Sequence, residues 1–274
     1  AAVVGGGLIG IESVEVMLAA GLKPSFLIRE EWFWPIALNA AESTWIASEM
    51  KHHGVDVRLG HNVEKLEGDE AGCLRALHTD GGTVDAELLV VAIGVTPQTG
   101  WLQDSGIERQ ERGGGIVVDE GLRTSAPDVW AAGDCAAVRW HNGVVRPEQL
   151  WYTGRDQGRI AAAAMVGDTV TYARGTMYNS AKLMDIEYTT AGLVNWKLDD
   201  EQEWFFEEKG TVRSTTRFVL RGGAVVGFNA DGTPGKQSRF SFTSDDVVID
   251  DDGVHLACGG QSVCRGSVAI FNVD

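Results

Sequence analysis

The chain is poor in the features that mark secreted, membrane-spanning and nucleic-acid-binding proteins. Its 274 residues include only four cysteines, without a Cys-x-x-Cys pair, which argues against a disulfide framework or a zinc site. No apolar run approaches the roughly 18 residues of a membrane helix. The net charge of −16 argues against nucleic acid and anionic lipid as partners. We therefore expect a cytoplasmic protein with free thiols, no metal, and neither a nucleic-acid nor a membrane partner.

An initiating methionine is also missing, because residue 1 is Ala and an apolar strand pattern begins at once. A natural domain rarely starts inside its first strand, so we expect that a segment preceding residue 1 is absent from this chain. Hydrophobic residues make up 44% of the chain and charged residues 23%, which is typical of a globular protein. The length suffices for two compact domains.

The first thirty residues have the pattern of a nucleotide-binding βαβ unit. A short apolar strand, the G-x-G-x-x-G motif of residues 5–10, a helical pattern over 11–20 and a second apolar strand over 25–28 follow one another. In such a motif the first glycine permits a tight turn, the second admits a pyrophosphate, and the third allows the helix to pack on the strand. The helix N-terminus attracts the phosphates. The motif predicts NAD(P) binding by Gly5, Gly7, Leu8, Ile9 and Gly10.

The end of the second strand leaves the choice between NAD and NADP open. Counting about twenty residues from the motif places Glu30 where an acidic residue would bind the ribose 2′-OH of NAD. Aligning from Gly21 instead places Ile28 there, followed by Arg29, which could hold the 2′-phosphate of NADP. Both Arg29 and Glu30 are therefore candidate ligands. The aromatic segment 32–34 that follows is interpreted as packing at the strand exit.

Further elements follow from local patterns of hydrophobicity and turn residues. They are a helix over 41–53, strands over 55–59, 63–66, 74–79, 83–85, 88–93, 115–119 and 129–134, a helix that begins near Trp151, and a hairpin over 214–228.

Four blocks of sequence, in this order, resemble the pyridine nucleotide–disulfide oxidoreductase superfamily. They are the glycine motif with Glu12, residues 90–94 with Pro97, residues 118–134, and the helix that begins near Trp151. The resemblance covers residues 1 to about 167. Residues beyond 168 are similar to the C-terminal domain of the nitrite, rubredoxin and ferredoxin reductase branch.

The resemblance implies an α/β protein with three parts. Residues 1–98 would form a Rossmann-like NAD(P)-binding domain, residues 99–167 the C-terminal part of an FAD-binding domain, and residues 168–274 an α+β interface or dimerisation domain. The implied activity is hydride transfer from NAD(P)H to FAD. Electrons would then pass to an acceptor protein or small molecule that the sequence does not identify.

The resemblance also assigns roles to particular residues. Gly94 would contact NAD(P), and Gly133, Asp134 and Trp151 would contact FAD, with Asp134 accepting a hydrogen bond from the ribityl chain. Glu12 would lie near the nicotinamide as the catalytic candidate, although a glutamate in the first turn of a helix is equally explained by the helix dipole.

The family's first glycine fingerprint, which binds the FAD pyrophosphate, does not occur upstream of Gly5. We therefore expect that the N-terminal half of the FAD domain is absent, so that the chain alone binds NAD(P) but binds FAD poorly. The alternative hypothesis is a non-catalytic NAD(P)-binding module, or one half of a split flavoprotein.

Overall fold

The computed structural model describes residues 1–140, 143–192, 194, 200–208, 213–221, 224–232, 247–250 and 253–256. Backbone contacts divide the chain into two compact units. One unit combines Ala1–Gly94 with Tyr178–Asp274, and the other is Val95–Met177.

Strands predominate among the described elements. In chain order these elements are β1 (Ala2–Val4), α1 (Leu8–Ala19), β2 (Ser25–Ile28), α2 (Ala40–His52), β3 (Asp56–Leu59), β4 (Val63–Gly68), β5 (Leu74–Thr79), β6 (Gly82–Asp85), β7 (Leu89–Val91), β8 (Ile116–Val117), β9 (Ala136–Arg139), β10 (Val145–Arg146), α3 (Trp151–Met165), β11 (Tyr178–Leu183), β12 (Ile186–Gly192), β13 (Glu201–Glu208), β14 (Ser214–Arg221), β15 (Ala224–Gly232), β16 (Val247–Asp250) and β17 (Gly253–Leu256). Short 3-10 helices occur at Gly100–Leu102 and Gly133–Cys135.

A four-stranded parallel sheet organises the first unit, with the strand order β3-β2-β1-β7. The strand order reverses at β1, which lies between β2 and β7. In open parallel sheets, ligands bind outside the carboxyl ends of the strands at such a reversal. The strand order therefore indicates that a ligand would bind at the loops that follow β1 and β7.

Each face of this sheet is covered by a different structure. The antiparallel sheet β4-β5-β6 covers one face, where Ala2 and Leu27 pack with Leu77 and Val84. The other face carries α1 and α2. Helix α1 buries its residues at helical spacing, Ile11, Val14 and Met17, and α2 begins with a capping box between Asn39 and Glu42.

The C-terminal sheet shares the core of the parallel sheet. It is antiparallel, with the order β11-β12-β15-β14-β13. Alternate residues of β12 are buried, as expected for a strand with one face in a core. Leu183, Ile186 and Tyr188 belong to the same buried cluster as Val3 and Phe26 of the parallel sheet. The parallel sheet and the C-terminal sheet therefore share one buried core.

The second unit is built around α3 and a small sheet of order β10-β9-β8. An added Cβ at Gly154 of α3 would lie 3.5 Å from the Cα of Gly133, so the helix packs closely against the loop that precedes β9. The buried side chain of Gln157 reinforces this contact, since its Oε1 accepts the Gly133 N–H at 2.8 Å.

Most elements lie where the sequence predicts them, including β2 over Ser25–Ile28, β5 over Leu74–Thr79 and α3 from Trp151. The predicted strand over 129–134 is wrong. Trp130 makes only an isolated bridge with Arg123, and the chain then turns into the 3-10 helix Gly133–Cys135. Asp128 at φ 58° and Gly133 at φ 78° bend the backbone at both ends of the segment, so an extended strand cannot continue through it.

The described residues beyond 177 contain strands and no helix, and the α+β assignment of residues 168–274 stays a prediction. The predicted boundaries at residues 98 and 167 stay a prediction.

A buried carboxyl in the C-terminal sheet makes stability depend on pH. Burial raises the pKa of Asp231 well above its ordinary value, and the nearby Glu42 carboxylate adds to the shift. The protonated form is thus favoured in the folded state, and stability is lost as the pH rises through the folded pKa. We expect Asp231→Asn to raise Tm more at pH 8 than at pH 5, by at least about 2 °C, which corresponds to about 1 kcal/mol.

Thermal unfolding of both forms at the two pH values measures this difference. Asp85→Asn, at an exposed position of β6, is the matched control and should show no such pH dependence. An equal Tm change for Asp231→Asn at both pH values would contradict the prediction.

Candidate nucleotide-binding site

The loop that follows β1 requires glycine at two positions because nearby backbone atoms leave no room for a Cβ. Gly5 has φ 116°, and an added Cβ would lie 2.1 Å from the carbonyl oxygen of Ala92. An added Cβ at Gly10 would lie 2.1 Å from the carbonyl oxygen of Gly5. The loops after β1 and β7 are also linked by the Ala92 N–H, which donates to the Val4 oxygen at 2.7 Å. These glycines therefore form the close packing of the turn.

Gly7 differs, because the space next to it is open. Beyond its chain neighbours, an added Cβ would meet no described atom within 4 Å. Helix α1 begins at the next residue, Leu8, without a side-chain cap from the described residues and with no acidic residue in its first turn. The first N–H groups of the helix, including those of Ile9 and Gly10, have no partners within the helix. This open, electropositive helix end fits a pyrophosphate.

Three further predicted ligands lie at the same carboxyl edge of the sheet. Gly94 follows β7 and adopts φ 115°, with open space where a Cβ would be. Arg29 and Glu30 follow β2 and form an ion pair at 2.9 Å. The Arg29 side chain is 74% exposed and that of Glu30 35%. The structure thus brings the predicted NAD(P) residues to one edge of the sheet, while their role as ligands stays a prediction.

The side chain of Ile28, the last residue of β2, lies against the glycine loop (residues 5–10). It is fully buried, and an added Cβ at Gly6 would lie 2.6 Å from its Cγ2. An isoleucine cannot accept a hydrogen bond from a ribose hydroxyl. The side chain that faces the glycine loop therefore lacks the carboxylate that NAD-binding sites use at this strand end.

The structure corrects the explanation of Glu12 as a first-turn residue. Helix α1 begins at Leu8, so Glu12 is its fifth residue and lies beyond the first turn, where the dipole interaction is strongest. The helix dipole therefore does not account for a glutamate there. Glu12 is exposed, and its place near a nicotinamide stays a prediction.

The predicted FAD residues lie in the second unit, and each is accessible. Asp134 is exposed within the 3-10 helix Gly133–Cys135, and Gly133 has open space where a Cβ would be. Trp151 is 78% exposed at the start of α3. No described side chain caps that helix, and its first turn has no acidic residue. An uncapped helix end favours negative charge, which fits the electron-rich end of a flavin ring.

Gln157 is a functional candidate that was not assigned a role from the sequence. It is fully buried, and it holds the backbone of Gly133 beside the predicted FAD ligand Asp134. The sequence signal for this role was a polar glutamine on the apolar face of α3, which also carries the buried Ala161 and Ala164.

One group of potential metal ligands lies elsewhere on the first unit. Among the described residues, Glu49, His53 and Asp185 place one ligand atom each within 4.8 Å of one another. His53 Nε2 lies 2.9 Å from Asp185 Oδ2 and 3.5 Å from Glu49 Oε1. These are the distances of surface ion pairs, and we assign no metal there. Cys73 and Cys135 are free thiols, whereas Cys258 and Cys264 lie outside the described residues.

Comparison with known families identifies the class of protein. Residues 1–158 match the family described as pyridine nucleotide-disulphide oxidoreductase. The chain belongs to this family, as the four sequence blocks predicted.

Individual relatives to which the chain is similar include two reductases. It is 29% identical to the nitrite reductase [NAD(P)H] of Bacillus subtilis over 83% of the chain and 27% of that protein. It is 34% identical to the 5,5'-dehydrodivanillate O-demethylase ferredoxin reductase subunit of a Sphingobium species, over 70% of the chain and 46% of that protein.

A crystal structure from Desulfovibrio vulgaris, titled as an FAD-dependent pyridine nucleotide-disulphide oxidoreductase, superposes with a TM-score of 0.76 at 26% identity. The match covers 85% of this chain and 59% of that one. The chain thus spans less than two thirds of each of these relatives. Within the described residues, no helix has the length and apolar character to cross a membrane.

Two glycine substitutions distinguish a glycine needed for backbone packing from one proposed to face the nucleotide. We expect Gly7→Ala to lower Tm by no more than about 3 °C, since it meets no atom and weakens only the helix cap. It should weaken NAD(P)H binding at least tenfold, because a methyl group would occupy the approach of the pyrophosphate.

Gly10→Ala serves as the matched variant. Its methyl group collides with the Gly5 carbonyl, so we expect a Tm loss at least twice as large even without nucleotide. Calorimetric titration and thermal unfolding measure the two quantities. Unchanged nucleotide affinity in Gly7→Ala would exclude this loop as the binding site.

Proposed function

We propose that the chain is the NAD(P)H-binding part of a flavin-dependent oxidoreductase. The observation that carries the proposal is the open, uncapped N-terminus of α1 beside Gly7, at the carboxyl edge of a parallel sheet, in a member of this family. The names of its relatives, which include the rubredoxin-NAD(+) reductase of Alcanivorax borkumensis, support the assignment. The proposed reaction moves hydride from NAD(P)H to FAD and electrons onward to an acceptor protein or small molecule, with a homodimer as the proposed assembly.

In this proposal the protein binds and orients, and its side chains form no covalent bond with the substrate. Bound FAD would supply the hydride-accepting chemistry. The glycine loop and the α1 N-terminus hold the nucleotide phosphates, and Gly94 leaves room beside them. In the second unit, Asp134 accepts a hydrogen bond from a hydroxyl of the flavin side chain, Gln157 holds Gly133 in place, and the α3 N-terminus stabilises negative charge.

We further propose that the preferred nucleotide is NADPH. Ile28 cannot bind a ribose hydroxyl, and the exposed Arg29 beside it carries a guanidinium that matches a 2′-phosphate. The present partner of Arg29 is the partly exposed Glu30, an ion pair that contributes little free energy in water and can exchange for a phosphate.

A single titration tests both the flavin-dependent reaction and the preference for NADPH. The product of the complete reading frame that contains this sequence is purified with FAD and titrated anaerobically with NADPH or NADH while the flavin absorption band is recorded. We expect both nucleotides to bleach the band, NADPH at lower concentration. Arg29→Ala should raise the NADPH concentration needed by about tenfold, the usual effect of a lost charge-assisted contact, and leave NADH nearly unchanged.

Glu30→Gln is the matched control, because it frees Arg29 and should leave NADPH affinity unchanged or stronger. A protein that binds nucleotide but no flavin would refute the oxidoreductase proposal and leave the non-catalytic NAD(P)-binding module. A preference for NADH that Glu30→Gln abolishes would show that Glu30, and not Arg29, selects the nucleotide.

A further inference from the structure

The loop between β2 and α2 begins at the proposed nucleotide-selecting residues and ends at a helix cap. It runs from Arg29 to Asn39, the N-cap of α2. Within it, Trp34 has a left-handed backbone with φ 49°, which is unfavourable for a bulky residue. Such a conformation persists only where surrounding contacts enforce it.

Several of those contacts come from the C-terminal sheet, about 150 to 190 residues away in sequence. The carbonyl oxygen of Ala37 accepts two hydrogen bonds, from Nη2 of Arg217 and from Nδ2 of Asn229, each at 2.6 Å. The ring of Trp34 packs against that of Tyr188, with centroids 5.1 Å apart. Asn229 is itself oriented by the Tyr188 hydroxyl, which donates to its Oδ1 at 3.2 Å. These side chains are buried.

The same sheet also holds the far end of the loop. The Asn39 N–H donates to Oε2 of Glu42 at 2.7 Å, and Glu42 pairs with Arg217 at 3.1 Å. The Asn39 side chain donates to Glu203 of β13 at 3.0 Å. The C-terminal sheet thus contacts both the middle and the end of the loop whose start carries Arg29.

We infer that the C-terminal sheet sets the nucleotide selectivity of the first unit, with Asn229 and Arg217 as positioning residues that act through the Ala37 carbonyl. Loss of this anchor releases Trp34 from its unfavourable conformation. The rearranged loop then presents Arg29 differently at the carboxyl edge of the parallel sheet. This inference rests on the proposed function, because it concerns the same nucleotide site.

The test compares Asn229→Ala with Thr215→Val in the same protein. Both remove buried hydrogen bonds from the C-terminal sheet. Those of Asn229 include the contact with Ala37, whereas Thr215 bonds to Asp231 and no described hydrogen bond joins it to the loop. Calorimetric titration with NADP+ and NAD+ gives both affinities, and thermal unfolding gives the stability. We expect Asn229→Ala to weaken NADP+ binding five- to tenfold while changing NAD+ binding less than twofold, and Thr215→Val to change neither, at a comparable loss of Tm.

Tyr188→Phe is the milder second variant if Asn229→Ala fails to fold. It keeps the ring against Trp34 and loses only the hydroxyl that orients Asn229, so a two- to threefold loss of NADP+ affinity is expected. Unchanged selectivity in the folded variants, or an equal change in Thr215→Val, would overturn the inference and leave the proposed function intact. Failure of the unaltered protein to bind either nucleotide would overturn both.

Discussion

The buried ion pair between Arg217 and Glu42 is the interaction on which the first unit depends. Both side chains are fully buried and lie 3.1 Å apart, although 175 residues separate them in sequence. Burying a guanidinium is unfavourable unless its donors are satisfied. Arg217 also donates to the carbonyl oxygens of Ala37 and Val194 and to Glu203, so one side chain connects α2, the loop before it and the C-terminal sheet. Removing Arg217 would leave the Glu42 carboxylate in the core without its cationic partner, and removing Glu42 would leave Arg217 with only the more exposed Glu203 as a counter-charge.

Neighbouring glycines of the glycine loop are needed for different reasons, some for backbone packing and one for the proposed binding of nucleotide. Gly5 and Gly10 are needed because the backbone approaches itself too closely for a Cβ, whereas Gly7 faces open space at an uncapped helix end. The rigid part of the loop thus holds the N–H groups of α1 in position, and the open part leaves them accessible. The proposed phosphate site would depend on the backbone more than on any side chain.

The local elements of the nucleotide-binding part could be predicted from sequence, because strand, glycine turn and helix each leave a short-range pattern. The bends at Asp128 and Gly133 were missed, since Val129–Asp134 carries an apolar pattern that resembles a strand. The contacts of Arg217 with Glu42 and Ala37 could not be predicted from a single sequence, because they pair residues that no local pattern connects. For the same reason, the shared core of Phe26 and Tyr188 was not anticipated from a chain divided into successive domains.

We expect the parallel sheet and the C-terminal sheet to unfold as one cooperative unit joined by Arg217. Native-state hydrogen exchange of the nucleotide-free protein tests this most directly, because it reports the opening free energy of each strand separately. We predict that amides in β1, β2 and α2 exchange with the same opening free energy as those in β14 and β15. Exchange of β14 and β15 through a distinctly lower opening free energy, while β1 and β2 stay protected, would contradict the account.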